Sequence, residues 1–151
     1  MQRPASSTSR LVADFEMVCT LGTGEFGTVY RARNKKDRCE YAIRRIYLPR
    51  PESEKEKVFR EVRALANLDM RFIVRYYSSW VDMREEVFFG NPVERLYIQM
   101  ELCKTSLKDW LETNRERNKE IIKHRFHQIA CGVDYIHSEG LMHRNLKVNF
   151  T

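Results

Sequence analysis

DFEMVCTLGTGEFGTVYRARN, residues 14–34, places two short β-rich runs on either side of a glycine-rich segment. This pattern predicts a β-hairpin. Gly22, Gly24 and Gly27 carry no side chain, so backbone amides in the hairpin can approach the phosphates of a nucleotide. A dinucleotide-binding loop of similar spacing is followed by a helix, whereas a strand follows here. We therefore expect a phosphate-binding loop of the strand–glycine loop–strand type.

Three further strands and three helices are predicted after this hairpin. A third strand covers 39–48, and a helix begins at Ser53, which has the capping-box spacing to Glu56. The fourth and fifth strands are predicted at 72–82 and 94–103, and two helices follow, the second at 121–137. We expect an α+β chain with a five-stranded antiparallel sheet and one inserted helix, followed by a mainly helical part.

The order of three more motifs matches that of a protein kinase. YAIR at 41–44 takes the place of Val-Ala-Ile-Lys, Glu61 lies on the following helix, and HRNLKVNF at 143–150 is similar to the catalytic loop H-R-D-L-x-x-x-N. The chain therefore resembles the N-terminal portion of a eukaryotic protein kinase domain. YAIRRI, KVFREVRALANL, LYIQMELC and QIACGVDYIHSEGLMHRNLK resemble, more narrowly, the kinases of the alpha subunit of eukaryotic translation initiation factor 2. Trp80, taken to follow the fourth strand, and the QMELC segment are the more specific features of this likeness.

The resemblance implies an ATP site built from eleven residues. Ala42 would lie against the adenine, Met100 would be the gatekeeper, and Glu61 would be the helix partner of position 44. The full set is Leu21, Gly22, Gly24, Gly27, Val29, Ala42, Arg44, Glu61, Met100, Glu101 and Cys103, the last two offering hinge backbone groups. Taken singly, the apolar members also fit a sheet core and Glu61 fits a surface carboxylate. The ordered set favours the nucleotide site.

Several positions depart from the kinase pattern. Arg44 replaces the lysine, and its planar fork keeps the charge but fits a different geometry. Asn145 replaces the catalytic aspartate and offers no carboxylate base, although Lys147 stands where the loop lysine belongs. Phe150 replaces the metal-binding asparagine, and no Asp-Phe-Gly is present, so we expect an incomplete magnesium site and predict no metal ligand. We expect the chain to be catalytically impaired on its own.

The resemblance divides the chain into three parts. These are a flexible tail at 1–12, a kinase N-lobe and hinge at 13–103, and the start of a truncated C-lobe at 104–151. The apolar face of the helix at 121–137 lacks a predicted covering element. We expect that face to be exposed and the lower half to be marginally stable.

Composition limits the other function classes. Hydrophobic residues make up 42% and charged residues 32%, and no apolar run has the length of a membrane span. The net charge of +6 is spread among interleaved acidic and basic residues, so we do not expect a nucleic-acid partner. The four cysteines lack a C-x-x-C pair, and His124 and His127 are interpreted as solvent-facing helix residues rather than zinc ligands. We expect a cytoplasmic protein, with the nucleus as the alternative.

Three functional hypotheses remain open. The chain is a serine/threonine kinase whose activity needs further residues, a pseudokinase that associates through its N-lobe with a full-length related kinase, or a degraded gene product. In the first case the family substrate is the alpha subunit of translation initiation factor 2.

Overall fold

Five strands form one antiparallel sheet in the order β1-β2-β3-β5-β4. The computed structural model describes residues 9–24, 27–84, 93–115 and 118–142. The strands are β1 (Phe15–Gly24), β2 (Gly27–Asn34), β3 (Glu40–Tyr47), β4 (Tyr76–Arg84) and β5 (Val93–Glu101). The predicted α+β class and five-stranded antiparallel sheet are confirmed.

Four helices accompany the sheet in the described ranges. They are α1 (Arg10–Asp14), α2 (Glu52–Ala66), α3 (Leu107–Thr113) and α4 (Lys119–Ser138). Among those residues, no helix has the length and hydropathy that crossing a bilayer requires.

The alternation of side chains along β3 divides the core into two layers, because successive residues of a strand point to opposite faces. On the outer face, Trp80 stacks between Phe15 and Tyr97, with ring centroids 5.8 and 5.4 Å away. The outer cluster consists of Leu11, Phe15, Ala32, Ile43 and Tyr97. On the inner face, α2 covers a second cluster made of Leu48, Val62, Leu96 and Ile98, flanked by Val58, Phe59 and Met100.

Three local predictions differ from the structure. Residues 10–12 are not part of a tail, because they begin α1 and the buried Leu11 joins the outer cluster. Residues 1–8 lie outside the described ranges. The capping box is wrong: α2 begins at Glu52 after Pro51, which places Ser53 inside the first turn, and the N-cap makes no side-chain hydrogen bond. Trp80 lies within β4 rather than after it.

α4 packs closely against the segment that precedes β4. A Cβ on Gly132 would lie 3.2 Å from the Phe72 carbonyl oxygen, and the Asp69 amide donates to the Tyr135 hydroxyl at 3.2 Å. Toward its end α4 buries Ile136, whereas Phe126, nearer its start, is 71% exposed. Ile121, Ile122 and Ile129 are exposed as well, so the expected exposure holds for the first part of the helix but is wrong for Ile136.

Candidate functional site

The glycine hairpin contains two glycines with different structural roles. Gly24 pairs with Gly27 across the hairpin end, and residues 25–26 lie outside the described ranges. Gly27 has φ +99°, and a Cβ there would clash with the carbonyl oxygen of Arg45. The fold itself therefore requires glycine at position 27. A Cβ on Gly24 would meet no atom of the described residues within 4 Å, its chain neighbours apart.

Strand register places four predicted site residues on one face of the sheet. Val29 lies opposite Arg44, and Ala42 lies opposite Met100. Directly paired residues share a face, and so do residues two apart such as Ala42 and Arg44. Met100 packs beside the inner cluster, so this is the face that α2 covers. Leu21 lies at an irregularity of the β1–β2 register and is exposed.

Arg44 and Glu61 are coupled electrostatically across this face. Burial lowers the pKa of Arg44, and the nearby charge of Glu61 opposes that shift. A partly buried guanidinium held near a carboxylate is suited to bind an anionic group that enters the same face. Glu61 lies on α2 and is exposed.

The segment after Met100 is fixed to the residue that precedes β4. The Glu101 amide donates to the Arg75 carbonyl oxygen at 2.9 Å, and the Arg75 amide donates to Glu101 Oε2 at 3.3 Å. Cys103 is an exposed residue, yet burial around its thiol raises the pKa of Cys103, and the charge of Glu101 adds to that effect. The segment after β5 therefore carries a thiol that stays protonated more readily than a free cysteine.

An ion pair that fixes α2 was missed by sequence reasoning. Lys55 Nζ lies 2.5 Å from Glu94 Oε2 and 3.4 Å from Glu52 Oε2. The hydrogen bond to Glu94 raises the pKa of Lys55. The i,i+3 spacing of Glu52 and Lys55 was visible in the sequence, but the contact with β5 depends on tertiary structure.

The remaining predicted site residues fall into two groups. The catalytic-loop positions Asn145 and Lys147 lie outside the described residues. His124 and His127 are described and exposed, as predicted, with His124 Nε2 3.1 Å from Gln128 Nε2. In the described part of the chain, no group of three His, Cys, Asp or Glu residues is arranged to hold a metal ion.

Comparison with known proteins gives consistent matches. The protein kinase domain family matches residues 15–149. The interferon-induced, double-stranded RNA-activated protein kinase of Rattus norvegicus is 41% identical over 150 residues, covering 91% of this chain and 28% of that protein. Eukaryotic translation initiation factor 2-alpha kinase 3 of Bos taurus is 51% identical over 78 residues, covering 52% of this chain and 7% of that protein.

A plant relative extends the same likeness. The eIF-2-alpha kinase GCN2 of Arabidopsis thaliana is 31% identical over 173 residues, covering 94% of this chain and 14% of that protein. The chain thus spans 28% or less of the length of these three relatives.

Proposed function

This chain belongs to the protein kinase domain family, and we propose that it binds ATP on the α2-covered face beside the glycine hairpin, with impaired phosphoryl transfer. The observation that carries this proposal is the common face of Val29, Ala42, Arg44 and Met100. Apolar side chains at three of these positions suit an adenine, and the Arg44 cation suits phosphate oxygens.

The glycine at position 24 supports the same proposal. Among the described residues nothing sterically requires glycine there, since an added Cβ would meet none of their atoms within 4 Å. A glycine at this position permits the close approach of a phosphate group to the backbone. Arg44 and the Gly24 backbone would hold the phosphates, and Ala42 and Met100 would contact the base.

Impaired catalysis rests on three substitutions in the sequence. Arg44, Asn145 and Phe150 stand at the positions of the family's lysine, catalytic aspartate and metal-binding asparagine. Phosphoryl transfer depends on positioning and charge stabilisation, and each of these three groups supplies part of that. Any residual reaction would transfer the γ-phosphate of ATP to serine or threonine. We infer the alpha subunit of initiation factor 2 as its substrate from the names of the relatives.

The test is ATP binding by the purified chain, measured by thermal shift and calorimetry with and without magnesium. We expect saturable stabilisation that Gly24→Val weakens. The control is Glu112→Gln, since the Glu112 side chain is exposed on α3 and lies outside the proposed nucleotide face. Absence of any saturable stabilisation in the folded chain would contradict nucleotide binding.

A second candidate function is a non-catalytic partner of a full-length related kinase. The exposed apolar side chains of α4 favour it, because such a patch on a soluble domain commonly marks a contact surface. Sedimentation of the chain mixed with the rat relative tests this candidate. A variant at Phe126 reports on α4, and a variant at the exposed Met83 of β4 reports on the N-lobe route that the sequence favoured. Independent sedimentation of the two proteins would exclude the candidate.

A further inference from the structure

A cavity of about 260 Å³ lies in the lower half, with none of the proposed ATP-site residues in its lining. It is bounded by Thr105 and Ser106 after the hinge, by α3, and by α4. Phe72, Leu107 and Ile129 give it apolar walls, and Gln128 adds a neutral amide. Arg125 is the one charged residue among those that line it.

Arg125 carries a charge that the described residues leave uncompensated. Its guanidinium carbon lies 4.1 Å from the centroid of the Trp110 ring. Its Nε is buried and has no hydrogen-bond partner, and no carboxylate of the described ranges forms an ion pair with it. Of the two acids on α3, Asp109 accepts a hydrogen bond from the Ser106 hydroxyl at 2.7 Å, and Glu112 lies 4.0 Å from Lys108.

This arrangement has a direct electrostatic consequence. A partly buried guanidinium without a counter-charge or a full set of hydrogen bonds is costly. Stacking on an aromatic ring fixes the plane of the guanidinium and leaves its in-plane N–H groups to donate. The terminal Nη groups of Arg125 are not among the buried unpartnered atoms of the described residues, so an anion in the adjoining cavity would accept their hydrogen bonds and neutralise the charge.

We propose that this cavity binds the carboxylate of a small ligand with an apolar chain. One guanidinium matches one carboxylate in charge and can bind it through two parallel hydrogen bonds. The walls formed by Phe72, Leu107 and Ile129 take the apolar chain of the ligand. The cavity is smaller than those that enclose drug-sized ligands, so the apolar chain of the ligand must be short.

The test follows the Nε–H signal of Arg125 in the ¹⁵N-labelled full chain. Arg125→Gln identifies that signal by its loss, and hexanoate is the probe. We expect a saturable shift of the signal with hexanoate, and about tenfold weaker binding of hexanamide, which has the same shape without the charge. Arg125→Gln should weaken hexanoate binding about tenfold in calorimetry, whereas Lys123→Gln, on an exposed position of the same helix, should leave it unchanged.

Each alternative outcome has a defined meaning. Equal affinity for hexanoate and hexanamide, equal affinity in Arg125→Gln, or a shift that never saturates would overturn the proposal. If Arg125→Gln loses its helical circular dichroism, Ile129→Asp replaces it, since Ile129 is 43% exposed and a carboxylate there repels the ligand without removing the Arg125–Trp110 contact. Unchanged hexanoate binding by Ile129→Asp would likewise contradict carboxylate binding in this cavity. The affinity for ATP should not change when hexanoate is added. The hexanoate and ATP measurements therefore test the two proposals independently.

Discussion

Gly24 and Gly27 are three residues apart in one hairpin, yet the chain needs glycine at them for different reasons. Gly27 sits at φ +99° against the Arg45 carbonyl, whereas a Cβ on Gly24 would contact no described residue outside its own chain neighbours. Gly27→Ala should lower the free energy of unfolding by about 2–4 kcal/mol through backbone strain and overpacking. Gly24→Val should change it by less than about 1 kcal/mol while weakening ATP binding.

Urea unfolding and ATP calorimetry on both variants check this pair of expectations. Wild-type stability of Gly27→Ala would contradict the close approach to β3. Full ATP affinity of Gly24→Val would contradict phosphate contact at the hairpin.

Arg44 is the second residue at which a single change is informative. Arg44→Met removes the cation from the nucleotide face and should weaken ATP binding about tenfold or more, because a hydrogen bond to a charged group contributes about 1.5–3 kcal/mol. Arg44→Lys keeps the charge, so it should lose less than half of the ATP-binding free energy that Arg44→Met loses. Calorimetry with ATP compares the three proteins, and adenosine serves as the control ligand. An equal loss of adenosine affinity in Arg44→Met would show that the change acts on folding of the face rather than on the phosphates.

The relative placement of several predicted site residues follows from spacing along one strand or across a hairpin. The common face of Ala42 and Arg44 follows from the two-residue period of β3, and Met100 joins them because β5 is the next neighbour in the sheet. The steric role of Gly27 could not be derived in the same way, because the Arg45 carbonyl that excludes a side chain comes from another strand.

At the scale of elements, the β2–β3 hairpin is held by a carboxylate between two guanidiniums. Glu40 Oε2 lies 2.5 Å from Arg31 Nη2, and Glu40 Oε1 lies 2.9 Å from Arg33 Nη2. The hydrogen bond from Arg31 is the largest influence that lowers the pKa of Glu40, and Arg33 acts in the same direction. A carboxyl whose pKa is lower in the folded state stabilises that state above its unfolded pKa and loses this effect as pH falls through the folded pKa.

Glu40→Gln should therefore be less stable than the wild type at neutral pH, and the difference should shrink to nothing in acid. Unfolding free energies by urea at a series of pH values measure this difference, with Glu112→Gln on α3 as the control for a longer ion pair of 4.0 Å. A difference that stays constant down to the most acidic pH at which the chain folds would refute the ion-pair explanation. High salt should reduce the neutral-pH difference, because both arginines are partly solvent-exposed.

Helix ends were harder to predict than helices. The Ser53–Glu56 spacing indicated a capping box, but Pro51 already provides the carbonyl that the amides of Glu54 and Lys55 contact at 3.0 Å. α2 consequently starts earlier than predicted. Its first turn carries Glu52 and Glu54, whose negative charges interact favourably with the positive N-terminal end of the helix dipole. The start of α1 within the expected tail follows from the burial of Leu11 against the sheet, a tertiary contact with no local signal.

At the scale of the whole molecule, the two halves differ in how their apolar surface is covered. The sheet has a buried cluster on each face, whereas α4 leaves Ile122, Phe126 and Ile129 exposed. Residues with few buried contacts open locally at low free-energy cost. We expect protease to cut within α4 before it cuts the sheet, and full protection of the monomer up to about residue 137 would contradict this.

The same exposed face should make the chain associate as its concentration rises, because burying apolar side chains from two copies removes them from water. Phe126→Ser should shift the sedimentation profile toward monomer. Since Phe126 is 71% exposed, the substitution should change the unfolding free energy by no more than about 0.5 kcal/mol. Val12→Ser is the matched control, because Val12 is 51% exposed on α1 and outside this face. Association that persists in Phe126→Ser and falls in Val12→Ser would place the contact on the N-lobe, and the partner-binding hypothesis would then have to be tested there.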